Sequence, residues 1–140
     1  MSRILAATLV SSIVAGAVLL MAQGATKSYK GIELSVGGVE RASRVSLTDC
    51  PPGANTVSST AKPGEEFAVV TLKAKVSPAY KPEPIKRPTL TDQSGKVYNT
   101  AVSFVDVGKV PEFSCAIPFR VPAGAKLKSL QVDTVSLDLP

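Results

Sequence analysis

Gly64-Glu65-Glu66-Phe67-Ala68-Val69-Val70-Thr71-Leu72-Lys73-Ala74-Lys75-Val76 is the stretch that decides the fold. Ala68, Val70, Leu72, Ala74 and Val76 alternate with Phe67, Val69, Thr71, Lys73 and Lys75. A period of two puts each set on its own face of a β-strand. The first face is apolar throughout, and the second grows more charged along its length. Lys62-Pro63-Gly64 ahead of it reads as a turn. The spacing predicts a long central strand of a sandwich, with one wall buried and no chemistry of its own.

On its C-terminal side follows Ser77-Pro78-Ala79-Tyr80-Lys81-Pro82-Glu83-Pro84-Ile85-Lys86-Arg87-Pro88, with four prolines in twelve residues. Such a segment stays extended and semi-rigid without a partner strand. Thr89–Asp92 and Val97–Val102 read as a hairpin around Gln93-Ser94-Gly95-Lys96, where Gly95 is free to take positive φ. Glu112–Val121 is a strand with Phe113, Cys115, Ile117 and Phe119 on one face. Pro118 marks that strand as an edge or a bulge. We expect this face to pack across the sandwich against Ala68, Val70 and Leu72. Leu127–Leu139 is the last strand. Its apolar parity changes from Leu130 and Val132 to Val135, Leu137 and Leu139, which requires a bulge or break near Asp133-Thr134.

On the N-terminal side, Cys50-Pro51-Pro52-Gly53 stops a strand, and residues 53–64 read as a polar loop. Tyr29–Val36 and Val39–Leu47 read as two strands joined by a Gly37-Gly38 turn. This amounts to seven or eight strands, separated by Gly/Pro turns, with no helix after residue 24. The expected fold class is all-β, an immunoglobulin-like antiparallel β-sandwich.

Residues 1–24 are of another kind. Arg3 precedes an uncharged run of 19 residues, Ile4–Ala22, and Ala22-Gln23-Gly24 offers small residues to a signal peptidase. The run reads as a signal peptide cleaved after Gly24, or as an uncleaved membrane anchor, since its length also suffices to span a bilayer. Residues 25–140 then form one domain placed outside the cytoplasm, secreted or periplasmic, or membrane-anchored if the helix is retained.

The chain carries a net charge of +5, or +4 without Arg3, and it has no His and no Trp. Absence of His excludes Ser-His-Asp and Cys-His nucleophile activation and His-ligated metal sites. No Asp-x-Asp run collects oxygen ligands for calcium, and Asp106 and Asp133 stand isolated. The reading is therefore non-enzymatic, with no cofactor and no metal. The basic residues are scattered and lack an aromatic ladder, which speaks against nucleic acid.

Cys50 and Cys115 are the two cysteines. In an exported chain an even number reads as a disulfide. An intermolecular bond or a redox thiol are the alternatives, the latter without a His or a Cys-x-x-Cys partner to activate it. Ser59-Thr60-Ala61-Lys62 matches the Ser-x-x-Lys of penicillin-recognising enzymes, but that chemistry needs the pair one helical turn apart and Pro63-Gly64 follows at once. Glu65, Glu66, Asp92 and Asp106 read as solvated turn and strand-end residues rather than as a glycosidase pair, because the chain has few aromatics to line a sugar cleft. Asp92 is placed to cap its own turn. The candidate binding loop is Tyr80, Lys81, Lys86 and Arg87 on the proline scaffold, where little ordering entropy is lost on contact.

Three motifs recur at set places: Gly64-x-x-Phe67 opening a Val-rich strand, Leu90-x-Asp92-x-x-Gly95-x-x-Tyr98, and Phe119-x-Val121-Pro122-x-Gly124-Ala125-Lys126 before a Leu-rich strand. Over roughly residues 31–139 the chain resembles a bacterial family of secreted or lipid-anchored immunoglobulin-like domains of unknown function. Their fold is similar to that of the mycobacterial immunoprotective extracellular antigen. The resemblance implies a fold and a compartment and no activity. The chain lacks the lipid-attachment Cys of the anchored members. The functional expectation is an exported interaction module at the bacterial cell envelope, meeting an envelope protein or an anionic surface polymer. The alternative is a structural accessory domain tethered by an uncleaved N-terminal helix.

Overall fold

The computed structural model describes residues 25–140, and the signal or anchor segment lies outside the described residues. Among the described residues there are ten strands and no membrane-spanning helix. The strands are β1 (Lys27–Tyr29), β2 (Ile32–Ala42), β3 (Arg44–Leu47), β4 (Val57–Thr60), β5 (Glu65–Val76), β6 (Thr89–Asp92), β7 (Val97–Asn99), β8 (Glu112–Pro122), β9 (Leu127–Val132) and β10 (Val135–Asp138).

Two four-stranded antiparallel sheets carry the fold, ordered β1-β2-β5-β8 and β10-β9-β6-β7, with β3-β4 as a separate ribbon. Ala68, Val70 and Leu72 from the first sheet and Leu90, Leu130 and Leu137 from the second belong to one buried core. Strand β1 lies beside β10, and β7 beside β8. This all-β layering is consistent with a β-sandwich.

Strand β5 is central, as its alternation predicts, and its inward set from Ala68 to Ala74 is fully buried. Its neighbour relation differs from expectation. Leu72 stands opposite Cys115, Val70 opposite Ile117 and Ala68 opposite Phe119, in register on adjacent strands. The two apolar faces lie side by side in one sheet rather than across the sandwich. Alternation tells which face is buried, and both strands bury theirs toward the second sheet.

Strand β8 is an edge, as Pro118 requires. Val76 N donates to Pro111 O at 2.7 Å and Ala123 N to Gly64 O at 3.0 Å. Odd-numbered residues of β8 therefore direct their backbone groups toward β5. Pro118 is even, so its missing N–H faces away from the ladder. Its carbonyl accepts from Thr100 Oγ1 at 2.7 Å.

Several boundaries correct the sequence reading. Gly37-Gly38 is a β-bulge inside one continuous β2, with the register to β5 shifting between Val36 and Gly38. The extra residue moves the inward set from Ile32, Leu34 and Val36 to Val39. A β-carbon at Gly37 would come within 2.9 Å of Lys73 Cε, the mobile end of an exposed lysine that can swing aside. Residues 57–60 form β4, which pairs with β3, where a polar loop was expected. The parity change near Asp133 is a hairpin: Val135 pairs with Val132 and Leu137 with Leu130, so even and odd numbers share one face. These differences, with the short β1, turn the expected seven or eight strands into ten.

The outer face of β5 is dressed by the ribbon. Phe67 is buried there beneath the Arg120 guanidinium, 4.8 Å from its ring centroid. Arg120 donates to Thr60 O at 3.0 Å and Ser59 Oγ at 2.7 Å, pinning β4 over that end of the sheet.

Candidate binding surface

The loops between β5 and β6 and between β7 and β8 come together at one end of the two sheets, and the turn between β1 and β2 joins them. The first of these loops is the proline-rich segment. Ser77 starts it with a small turn, its hydroxyl accepting from Ala79 N at 3.2 Å and its carbonyl from Tyr80 N at 3.0 Å. Beyond Tyr80 the chain runs to Pro88 without a turn, bend or strand partner. The segment expected to be extended from Ser77 thus opens with a turn at Pro78-Ala79, and the stretch with the other three prolines runs without one.

Tyr80 sits differently from the sequence expectation. It is only 8% exposed and belongs to the core. Gly108 admits it: a β-carbon at Gly108 would lie 3.3 Å from two ring carbons of Tyr80, whereas one at Gly31 would sit at an ordinary 3.6 Å from its Cα. Tyr80 anchors the loop and offers no ring to a partner. Lys81, Lys86 and Arg87 are exposed.

Contacts that the sequence did not reveal fix the loop along its length. Lys30 Nζ meets Glu83 Oε1 at 2.6 Å. The hydrogen bond and charge of Glu83 hold the Lys30 ammonium above its ordinary pKa. Arg87 Nε donates to Ser103 Oγ at 2.9 Å. A groove of about 440 Å³ runs between Pro82–Ile85 and Phe104–Val107. Its carboxylates are Glu83 and Asp106, and Asp106 pairs with Lys109 at 3.3 Å. Nearby, Tyr29 donates to Asp133 Oδ2 at 2.9 Å, and burial followed by that hydrogen bond raises the Tyr29 pKa. The sequence signal for this assembly is faint: glycines at 31 and 108, each at positive φ.

Cys50 and Cys115 form a disulfide across 65 residues, both buried, with Cα atoms 5.6 Å apart. Cys50 N donates to Ser103 O at 3.0 Å and Val105 N to Cys50 O at 3.1 Å. The bond thus ties β8 to the stretch that forms the far wall of the groove. A buried disulfide suggests an oxidising compartment outside the cytoplasm.

The other candidates are dispersed. Ser59 lies on β4 and accepts from Arg120, so the helical Ser-x-x-Lys relation to Lys62 is absent. Glu65 and Glu66 are successive residues of β5 and point to opposite faces. Glu66 holds Arg41 at 2.9 Å and accepts from Gly124 N at 2.9 Å. Asp92 caps its turn as expected: its Oδ1 accepts from Ser94 N, Ser94 Oγ and Lys96 N, and its Oδ2 from Tyr98 OH at 2.8 Å. The Ser94 hydroxyl first, then Tyr98 and the two backbone amides, lower its pKa to about 2. The Leu90–Tyr98 motif is therefore a hydrogen-bonded turn unit. Asp92 ends β6, whereas Asp106 lies in the loop between β7 and β8. Among the described residues no three His, Cys, Asp or Glu side chains gather as metal ligands do.

Comparison with protein-family models, with curated proteins and with solved structures finds no match for the chain.

Proposed function

We propose that the chain is an exported, non-enzymatic immunoglobulin-like module that binds a component of the bacterial cell envelope through its proline-rich loop. The observation that carries this reading is the loop itself. It runs from Tyr80 to Pro88 without a turn, is anchored by Tyr80 and tied at Glu83 and Arg87, and it presents exposed cations on a fixed support. A surface already ordered loses little entropy on contact.

The strand order supports the immunoglobulin-like reading. Taking β2, β5 and β8 as strands A, B and E, and β6, β7, β9 and β10 as C, C′, F and G, the sheets are A-B-E and G-F-C-C′. The disulfide departs from the usual B–F position, since it joins E to the A–B connection. The three motifs that carry the resemblance to the secreted bacterial family fall on turns and strand ends of this scaffold, as a resemblance in fold would require. Export is supported by the buried disulfide, and a non-enzymatic role by the scattering of Ser59, Glu66, Asp92 and Asp106.

Cell fractionation with thiol alkylation tests the compartment. The expected result is protein in the envelope or exported fraction with no alkylatable thiol before reduction. Cytoplasmic protein with both Cys50 and Cys115 alkylated would overturn the reading.

A further inference from the structure

Burial along the proline-rich segment falls at Tyr80, Ile85 and Pro88, and the residues between them are exposed. Prolines at 82, 84 and 88 favour polyproline II, with three residues per turn and no internal hydrogen bonds. Pro82 lies against Gly108, Ile85 is half-buried against the core, and Pro88 is fully buried. Ile85 and Pro88 thus face the fold, while Pro82 touches Gly108 and stays exposed. Lys81, Glu83, Pro84, Lys86 and Arg87 are exposed along the same stretch.

The charges on those exposed residues are not balanced locally. Glu83 is taken by Lys30, and Asp106 across the groove by Lys109. Lys81, Lys86 and Arg87 have no ion-pair partner among the described residues. At about 3.1 Å per residue, Lys81 and Arg87 are roughly 19 Å apart along the segment. That exceeds the span of one phosphate and matches several repeats of an extended polymer. The Arg87 guanidinium is held in orientation by Ser103 Oγ at 2.9 Å, which suits it to an oxyanion.

We propose that these exposed cations bind a linear polyanion, a polymer of phosphate or carboxylate repeats laid along the stretch from Lys81 to Arg87. The proposal rests on the binding-module reading and names its ligand class. The line of cations on an extended backbone selects a polymer over a membrane surface, which would meet a broad basic face.

The test is binding of long-chain polyphosphate to the full chain purified from exporting cells, beside inorganic phosphate and anionic phospholipid vesicles. Polyphosphate should bind, with affinity falling about tenfold or more between about 50 and 200 mM salt, as three released counterions imply. Lys81→Ala/Lys86→Ala/Arg87→Ala should lose most of that binding with a melting temperature within about 5 °C of wild type, since only the exposed Arg87–Ser103 hydrogen bond is lost. Lys73→Ala/Lys75→Ala, which removes charge from the exposed outer face of β5, should retain it. Equal losses in both variants, or binding to vesicles and not to polyphosphate, would overturn the proposal. Capture of an envelope component that polyphosphate does not displace would also overturn it and leave the module reading standing. Capture of nothing from envelope extract would overturn both.

Discussion

The ring of Tyr80 lies against the backbone of Gly108, so close that a β-carbon on Gly108 would meet Cδ1 and Cε1 at 3.3 Å. Gly108 has φ +109°, a conformation that side-chain-bearing residues rarely adopt. The contact joins the β5–β6 and β7–β8 loops and sets where the proline segment begins. Gly108→Ala should therefore cost about 2–4 kcal/mol in urea unfolding, strain plus clash. Gly124→Ala, at φ +77° with open space around it, should cost about 1–2 kcal/mol. Placing Gly108→Ala on a Tyr80→Ala background should bring its cost down toward the Gly124 value; an unchanged cost would show that the ring does not matter.

The Tyr80 hydroxyl is buried and has no hydrogen-bond partner among the described residues. An orphaned buried hydroxyl stabilises nothing. Tyr80→Phe is expected to leave stability unchanged or raise it by up to about 1 kcal/mol. A loss above about 1 kcal/mol in the same unfolding measurement would contradict the assignment of Tyr80 as a purely apolar anchor.

Asp92 links the turn of its hairpin to pH. Its folded pKa is depressed to about 2 from an ordinary 3.8. The ionised form is favoured in the folded chain, so its contribution is complete above pH of about 4 and drains away as pH falls toward about 2. Wild type should lose stability through that window, and Asp92→Asn should show a shallower decline. Denaturation midpoints measured from pH 5 to 2 decide it; parallel curves would contradict the linkage.

The disulfide closes 65 residues, which on chain entropy alone corresponds to about 4 kcal/mol. Cys50→Ala/Cys115→Ala should show a loss of roughly that size in denaturant unfolding. The same loss is expected on adding reductant to unfolded wild type before refolding. A difference below about 1 kcal/mol would mean that the staple does not constrain the unfolded chain.

What the sequence disclosed and what it hid follow from the range of each interaction. The alternation from Ala68 to Val76 is local, and it placed β5 correctly. The Asp92–Tyr98 turn is also local, and Asp, Gly and Tyr at that spacing announced it. Gly37-Gly38 misled because a turn and a bulge ask for the same residue; only the register against Leu72 and Thr71 separates them. Val57-Ser58-Ser59-Thr60 has no alternation, and it becomes a strand only because β3 lies beside it. The burial of Tyr80 is set against Gly108, which is remote in sequence. The exposed cations of the loop were legible, whereas the ties at Lys30–Glu83 and Arg87–Ser103 that fix them were not.

The central claim is that this loop is what the protein uses to hold its envelope partner. Its most direct test is retention of solubilised envelope material on immobilised protein. The comparison is between wild type, Lys81→Ala/Lys86→Ala/Arg87→Ala, and Lys73→Ala/Lys75→Ala. The account predicts a component retained by wild type and by the Lys73/Lys75 variant and lost from the loop variant. Identical retention by all three would contradict it.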